Sequence, residues 1–298
     1  MDGIRLELLG PPEVLRDGQV AGGVGRKAIG LLAFLAAPKG RFHNRDELAG
    51  LLWSDRFDEQ ARQSLRQMLS MLRKKVGDAI VTNDHGVALA ADKVVSDVEE
   101  FEALAASEEL EHLRQACALY RGEFLEGVRG SAPAFDEWAE SERRRLRDRF
   151  LNALESLARQ THEQDQREEA LTAARRLVAE EPAHEAGHRL IMQILAQQGQ
   201  RAAALRQFEA CQSALKRHLD AKPEAHTIEL AERIRAAEAQ SPSEPGSIMA
   251  PWPMRALRRR PVRRILAISV AATALLAAST AYFATRSMNA RQADASAQ

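Results

Sequence analysis

The chain has 298 residues, which is enough for two ordinary domains, and it carries 42 basic and 42 acidic side chains. This balance excludes a protein that is basic throughout, so any surface for a polyanion must come from a local cluster of charge. The two cysteines, Cys117 and Cys211, are far apart in helical sequence, which argues against a disulfide scaffold and favours a reducing compartment.

Residues 1–93 show the order small sheet, three helices and terminal hairpin. IRLELLG predicts a strand, and Asp17 with Gly18 predicts a hairpin turn after it. RKAIGLLAFLAA, NRDELAGLLW and DEQARQSLRQMLSMLRKKVG predict three helices, the second with Asn44 as N-cap and the third closed by Gly77. AIVTNDHGVALA predicts two short strands around a turn at 83–86. This order predicts a winged helix with an N-terminal β platform.

The third predicted helix is amphipathic. Its apolar positions recur at three- and four-residue steps and predict a buried stripe: Ala61, Leu65, Met68, Leu69, Leu72 and Val76. Its outward side is predicted to present guanidinium, amide, hydroxyl and ammonium groups: Arg62, Gln63, Arg66, Gln67, Ser70, Arg73 and Lys74. Such groups pair with base edges in a major groove or bind phosphates, so this side is a candidate DNA-binding surface. The alternative is a charged face that only contacts solvent.

Two other segments supply candidate DNA contacts. Arg26 and Lys27 begin the first helix, where backbone N–H groups also favour a phosphate. Thr82, Asn83 and His85 lie on the predicted wing, beside the third helix. The acidic Asp84 at the wing tip opposes DNA, so the wing is expected to contribute less than the helix.

Residues 94–240 are almost wholly helical in pattern. REEALTAARRLVAEEP, HEAGHRLIMQILAQQGQ and RAAALRQFEACQSALKRHLDAKP form helix–turn–helix units that end at proline or glycine. Ala204, Leu205 and Phe208 add the small-and-aromatic signature of tetratricopeptide-like hairpins. The sequence therefore predicts a helical, tetratricopeptide-like second domain.

The segment HEAGH, residues 184–188, matches the H-E-x-x-H pattern of zinc hydrolases. A zinc site needs a third ligand, and the H-x-x-G-x-x-H extension is absent because HRLIMQI follows. The segment is therefore interpreted as a repeat helix, with zinc hydrolysis as the alternative. No phosphate loop and no G-x-S-x-G motif is found, so the sequence predicts no catalytic residues, no metal, no cofactor and no enzyme activity.

The C-terminal residues predict a membrane anchor. Residues 241–263 are rich in proline and arginine and predict a linker, and residues 265–285 carry no charge over 21 positions. Six arginines precede this run, so the positive-inside rule predicts a transmembrane helix over 264–286 with the N-terminal domains in the cytoplasm and a short tail, 287–298. The expected location is the bacterial inner membrane, in a single pass.

The chain resembles a known family. GRKAIGLLAFLAA, RDELAGLLW, ARQSLRQMLSMLRKKVG and AIVTNDHGVALA resemble the DNA-binding domain of SARP-type transcriptional activators, which is similar to the OmpR-type winged helix. DVEEFEAL, ALYRGEFLEG and FDEWAESERRRLRDRFLNALESLA resemble the bacterial transcriptional activator domain that follows it in this family. The resemblance implies binding to direct repeats in double-stranded DNA, usually by two or more protomers, and recruitment of RNA polymerase.

The expected fold is mainly α: a winged helix with a small β platform and wing (1–93), a helical activator domain (94–240) and one transmembrane helix. The expected function is a membrane-anchored, sequence-specific transcriptional regulator. Its helical domain would contact RNA polymerase, another protein or a second copy in a homodimer. The alternative is a membrane-bound protein–protein adaptor that has lost DNA readout.

Overall fold

The computed structural model describes residues 3–37, 40–54, 57–130 and 132–239. Its N-terminal platform is a sheet of four strands, β1 (Ile4–Glu7), β2 (Glu13–Arg16), β3 (Gln19–Val20) and β6 (Val94–Ser96). Their order is β3-β2-β1-β6, with β1 antiparallel to β2 and parallel to β6. Asp17 and Gly18 both have positive φ, 53° and 78°, so the predicted hairpin turn lies between β2 and β3.

Three helices and a wing complete the winged helix. The helices are α1 (Arg26–Ala36), α2 (Arg45–Leu52) and α3 (Asp58–Val76), and the wing strands are β4 (Ile80–Asn83) and β5 (Gly86–Leu89). As predicted, the Asn44 side chain caps α2 by accepting the N–H of Asp46 at 2.8 Å. Gly77, at a φ of 62°, ends α3.

The wing is attached to the start of α2 through the main chain. His43 and Val87 exchange two backbone hydrogen bonds of 2.9 Å. Gly86 lies against this pair at a φ of 141°, and a Cβ there would lie 1.9 Å from the His43 carbonyl oxygen. Only glycine fits this approach, so the position of the wing depends on Gly86.

From Asp97 onward, the regular elements of the described residues are helices, and Phe124 makes an isolated β-bridge with Leu9. The helices are α4 (Asp97–Ala105), α5 (Leu110–Leu119), α6 (Pro133–Glu163), α7 (Arg167–Glu180), α8 (Glu185–Gln197), α9 (Arg201–Leu219) and α10 (Ala225–Ala239). Consecutive helices pack together from α6 to α10. Gly187 of α8 permits one close approach, because a Cβ there would lie 3.0 Å from Val178 and 3.1 Å from Leu177.

The winged helix and the helical part share one apolar core and form one compact unit. The buried Asp97 carboxylate accepts the N–H of Leu8 at 2.8 Å and of Leu9 at 3.0 Å, which fixes the end of β1 to the start of α4. On the other side, Phe34 of α1 meets Trp138 of α6 edge to face at 5.0 Å. The helical part is therefore held against the winged helix at two separate places.

The predicted fold class was mainly α with one transmembrane helix, and the transmembrane helix is wrong. Among the described residues, no helix combines the length and the apolar character needed to cross a membrane. The predicted span at 265–285 lies outside these residues. Eight of its 21 side chains are alanine, and because alanine is only weakly hydrophobic, the composition gives weak support for a membrane span. The fold class is corrected to a mainly helical protein with a small N-terminal strand region. The predicted location in the inner membrane depended on this helix and is withdrawn with it.

Candidate nucleic-acid interface

The polar face of α3 is open to solvent with the helical part in place. Its apolar stripe is buried at Ala61, Leu65, Leu69, Leu72 and Val76 and half-buried at Met68, as the periodicity predicts. The seven side chains predicted to face outward are all exposed: Arg62, Gln63, Arg66, Gln67, Ser70, Arg73 and Lys74. The face is therefore accessible to solvent along its length.

Two arginines in the first half of this face are paired with carboxylates. Arg62 Nε lies 2.7 Å from Asp46 Oδ1, and Arg66 donates from a terminal nitrogen to Glu59 Oε1 at 3.1 Å. The hydrogen bond and charge of Asp46 raise the pKa of Arg62 above its ordinary value. The cationic charge of this half is thus partly compensated, which the sequence did not reveal because Asp46 lies on a different helix.

The second half of the face has a different environment. Arg73 donates to the hydroxyl of Thr82 on the wing at 2.5 Å, so it links α3 to β4. Among the described residues, neither Arg73 nor Lys74 has a carboxylate partner. This half therefore presents uncompensated positive charge at the C-terminal end of α3.

The wing turn is organised by Asn83. Its side-chain oxygen accepts the N–H of His85 at 2.8 Å and of Gly86 at 3.1 Å, so the amide is used to close the turn. Its carbonyl accepts Arg45 Nη1 at 3.0 Å. His85 is exposed, and Thr82 is half-buried beneath Arg73.

Arg45 is a candidate residue that the sequence reasoning missed. It is the first residue of α2 and is exposed, and it lines a groove of about 280 Å³ together with Arg62 and Arg66. Its position directly after an N-cap was a usable signal, because helix N-termini in DNA-binding folds lie close to phosphates.

The two predicted contacts on α1 have different environments. Arg26 is exposed in the first turn. Lys27 is half-buried, and its ammonium donates to the Leu52 carbonyl at 2.8 Å and lies 5.2 Å from the Trp53 ring centre. Lys27 thus satisfies a carbonyl at the C-terminal end of α2, which is a structural use of its charge.

The HEAGH segment begins α8 as a repeat helix. His184 is the N-cap, and its Nδ1 accepts the N–H of Gly187 at 3.3 Å. His188 is buried, with Nε2 3.0 Å from the Pro182 carbonyl and Nδ1 2.7 Å from Gln207. Both imidazoles are thus engaged by the protein, and the described part of the chain shows no group of three or more metal-binding side chains.

Comparisons with known proteins agree with this architecture. Residues 89–235 match the family model of the bacterial transcriptional activator domain. The chain is 28% identical over 248 residues to the regulatory protein AfsR of Streptomyces coelicolor, covering 79% of this chain and 24% of that protein. It is 26% identical over 251 residues to AfsR of Streptomyces griseus, covering 80% and 25%. The chain thus spans about a quarter of the length of these curated relatives.

A solved structure shares the fold. Mycobacterium tuberculosis EmbR, determined in complex with a low-affinity phosphopeptide, superposes with a TM-score of 0.64 at 21% sequence identity. The match covers 78% of this chain and 65% of that one. At this identity the likeness establishes the arrangement of helices and strands and nothing about ligands.

Proposed function

We propose that this chain, in which residues 89–235 match the bacterial transcriptional activator domain, is a transcriptional regulator of the SARP type that binds double-stranded DNA. Its matched relatives carry the name regulatory protein, and the proposed role involves no catalysis. Recognition of a specific sequence would come from α3, and the helical part would contact other proteins.

The exposed polar face of α3 is the observation that carries this proposal. A guanidinium matches the two acceptors of guanine and a glutamine amide matches adenine, so Arg62, Arg66 and Gln67 have the chemistry to read base edges. Ser70 and Lys74 have the chemistry to bind phosphates, which set the register of the helix on the duplex.

The surroundings of α3 support the same orientation on DNA. Arg73 joins α3 to the wing, so both elements would move onto a duplex as one surface. Arg26 and Arg45 each stand in the first turn of a helix, where the dipole and free N–H groups favour a phosphate.

The helical part would present a second surface in a fixed direction. Its attachment through Asp97 and through the contact of Phe34 with Trp138 leaves it little freedom relative to the winged helix. A second copy bound at an adjacent repeat, or RNA polymerase, would therefore meet this surface at a defined distance from the DNA site.

A protein–protein adaptor that no longer reads DNA is the second candidate. The observation that favours it is the pairing of Arg62 and Arg66 with carboxylates, which reduces the attraction of the helix for a polyanion. The two functions differ in the effect of salt, because DNA binding releases counterions and weakens steeply as salt rises.

The test measures binding of the full chain to duplexes selected from genomic DNA over a series of salt concentrations. Arg66→Ala should weaken binding to the selected site by about 1–3 kcal/mol if Arg66 reads a base. Arg159→Ala is the matched control, since Arg159 is likewise exposed and paired with a glutamate, but on α6. Binding that is insensitive to salt, or equal losses in the two variants, would reject the proposal in favour of the adaptor.

A further inference from the structure

Each of two carboxylates holds one arginine of the α3 face. Asp46 pairs with Arg62, and Glu59 pairs with Arg66. The four side chains line the same groove between α2 and α3, with Leu65 and Leu69 as its apolar floor. Exposed ion pairs of this kind contribute little to folding, so their geometry matters more than their stability.

The backbone positions of both acids are well defined. Asp46 is the second residue of α2, and its own N–H is held by the Asn44 cap at 2.8 Å. Glu59 lies in the first turn of α3, seven residues before Arg66, so two helical turns bring both side chains to one side of the helix. The carboxylates therefore approach the arginines from fixed points at the start of α2 and of α3.

The pairing leaves hydrogen-bond donors unused. Arg62 contacts Asp46 through Nε, and its two terminal nitrogens make no hydrogen bond to the described residues, whereas Arg66 uses one terminal nitrogen on Glu59. A guanidinium has five N–H groups, and the terminal fork is the part that fits guanine O6 and N7. Arg62 thus keeps its terminal fork for a base, and Arg66 keeps its other terminal nitrogen, while both lose much of their attraction for a phosphate.

We infer that Asp46 and Glu59 are specificity-determining residues, which orient Arg62 and Arg66 toward base edges and prevent them from binding the phosphates of any sequence. The inference rests on the proposed function and divides α3 into two parts. The first half, with its paired arginines, reads the groove, as the N-terminal residues of a recognition helix do. The second half, with Arg73 and Lys74 free of carboxylates among the described residues, binds the backbone.

The size of the effect follows from counterion release. Each arginine freed to bind a phosphate steepens the dependence of log affinity on log salt by about 0.9. Relative to 1 M salt, this corresponds to a gain of about eightfold at 0.1 M for a non-specific duplex. The selected site gains less, because the freed arginine loses its orientation toward the base.

The experiment compares the full-length wild type with Asp46→Asn and Glu59→Gln. Each is tested on the selected duplex and on a duplex of equal length and scrambled sequence. Either substitution should raise affinity for scrambled DNA about eightfold at 0.1 M salt and steepen its salt dependence by about 0.9. The ratio of specific to non-specific affinity should fall several-fold.

Glu163→Gln is the control, because it removes the same charge from an exposed ion pair with Arg159 on α6. It should change neither affinity more than about twofold, as expected for a charge remote from the DNA. Should Asp46→Asn lower the thermal midpoint through its place in α2, Glu59→Gln carries the test alone.

Equal gains on both duplexes, or no gain on scrambled DNA, would overturn the inference while leaving DNA binding intact. Wild-type protein that binds neither duplex would instead refute the proposed function.

Discussion

Asp97, the first residue of α4, should be the most sensitive point of attachment between the winged helix and the helical part. Its carboxylate is 1% exposed and accepts the buried N–H groups of Leu8 and Leu9. Asp97→Ala leaves both groups without an acceptor, at a cost of about 1–3 kcal/mol each. The expected loss of about 2–6 kcal/mol is a large share of the stability of a typical domain, about 5–15 kcal/mol.

The pH dependence of the same residue gives a second measurement. Burial raises the pKa of Asp97, although the Leu9 and Leu8 N–H groups and the charge of Arg121 act to lower it. The folded chain therefore binds more protons at this site above about pH 4, the ordinary range of aspartate. Its contribution to the free energy of unfolding is fully present below that pH and decreases as the pH rises through the folded-state pKa.

Urea unfolding of the full chain, followed by circular dichroism from about pH 4 to pH 7, measures both effects. Asp97→Asn keeps one acceptor and cannot titrate, so it should cost less than alanine, and the stability of the wild type relative to this variant should fall as the pH rises. Asp84→Ala, at the exposed wing tip, is the control and should stay within about 0.5 kcal/mol of the wild type. An alanine variant at Asp97 as stable as this control, or a difference in stability between the wild type and the asparagine variant that does not change with pH, would refute the reasoning.

Three further outcomes are expected. Gly86→Ala should destabilise the chain by more than about 2 kcal/mol in urea unfolding, because the added Cβ meets a backbone carbonyl at a residue with positive φ. Gly50→Ala, at an exposed position of α2, should instead stabilise it by about 0.5–1 kcal/mol. Lys27→Ala should lower the free energy of unfolding by about 1–2 kcal/mol, because the hydrogen bond to the Leu52 carbonyl is lost. Its affinity for DNA should stay within about twofold of the wild type, and a larger loss would assign Lys27 to the interface. Burial raises the pKa of both Cys117 and Cys211 to about 11. At pH 8 a thiol reagent should therefore label the two cysteines slowly in the folded chain and rapidly in the unfolded chain. Rapid labelling of the folded chain would contradict this.

Much of the winged helix was predictable because its signals are local. The apolar stripe of α3 repeats at helical spacing, and Gly77 ends the helix in a conformation that glycine adopts readily. The cap at Asn44 and the turn at Asp17 likewise depend on neighbouring residues alone. The exposure of the α3 face follows from the same periodicity.

The features that could not be predicted depend on distant residues. β6 has only three residues, and its partner Ile4 lies 90 positions away along the chain. The pairing of Asp46 with Arg62 requires the packing of α2 on α3, and the use of Lys27 requires the end of α2 beside it. Short strands and long-range ion pairs leave no periodic trace in a sequence.

The central claim, that the outward face of α3 lies on duplex DNA, is tested most directly by tethered DNA cleavage. Because both natural cysteines are buried, Ser70→Cys offers a single reactive site for an iron chelate on α3, and Ser213→Cys offers the same at an exposed position of α9. The probe at position 70 should cut the selected duplex at a few adjacent base pairs, and the probe at position 213 should not cut within the site. Cleavage from position 213 alone, or none from position 70 on bound DNA, would contradict the account.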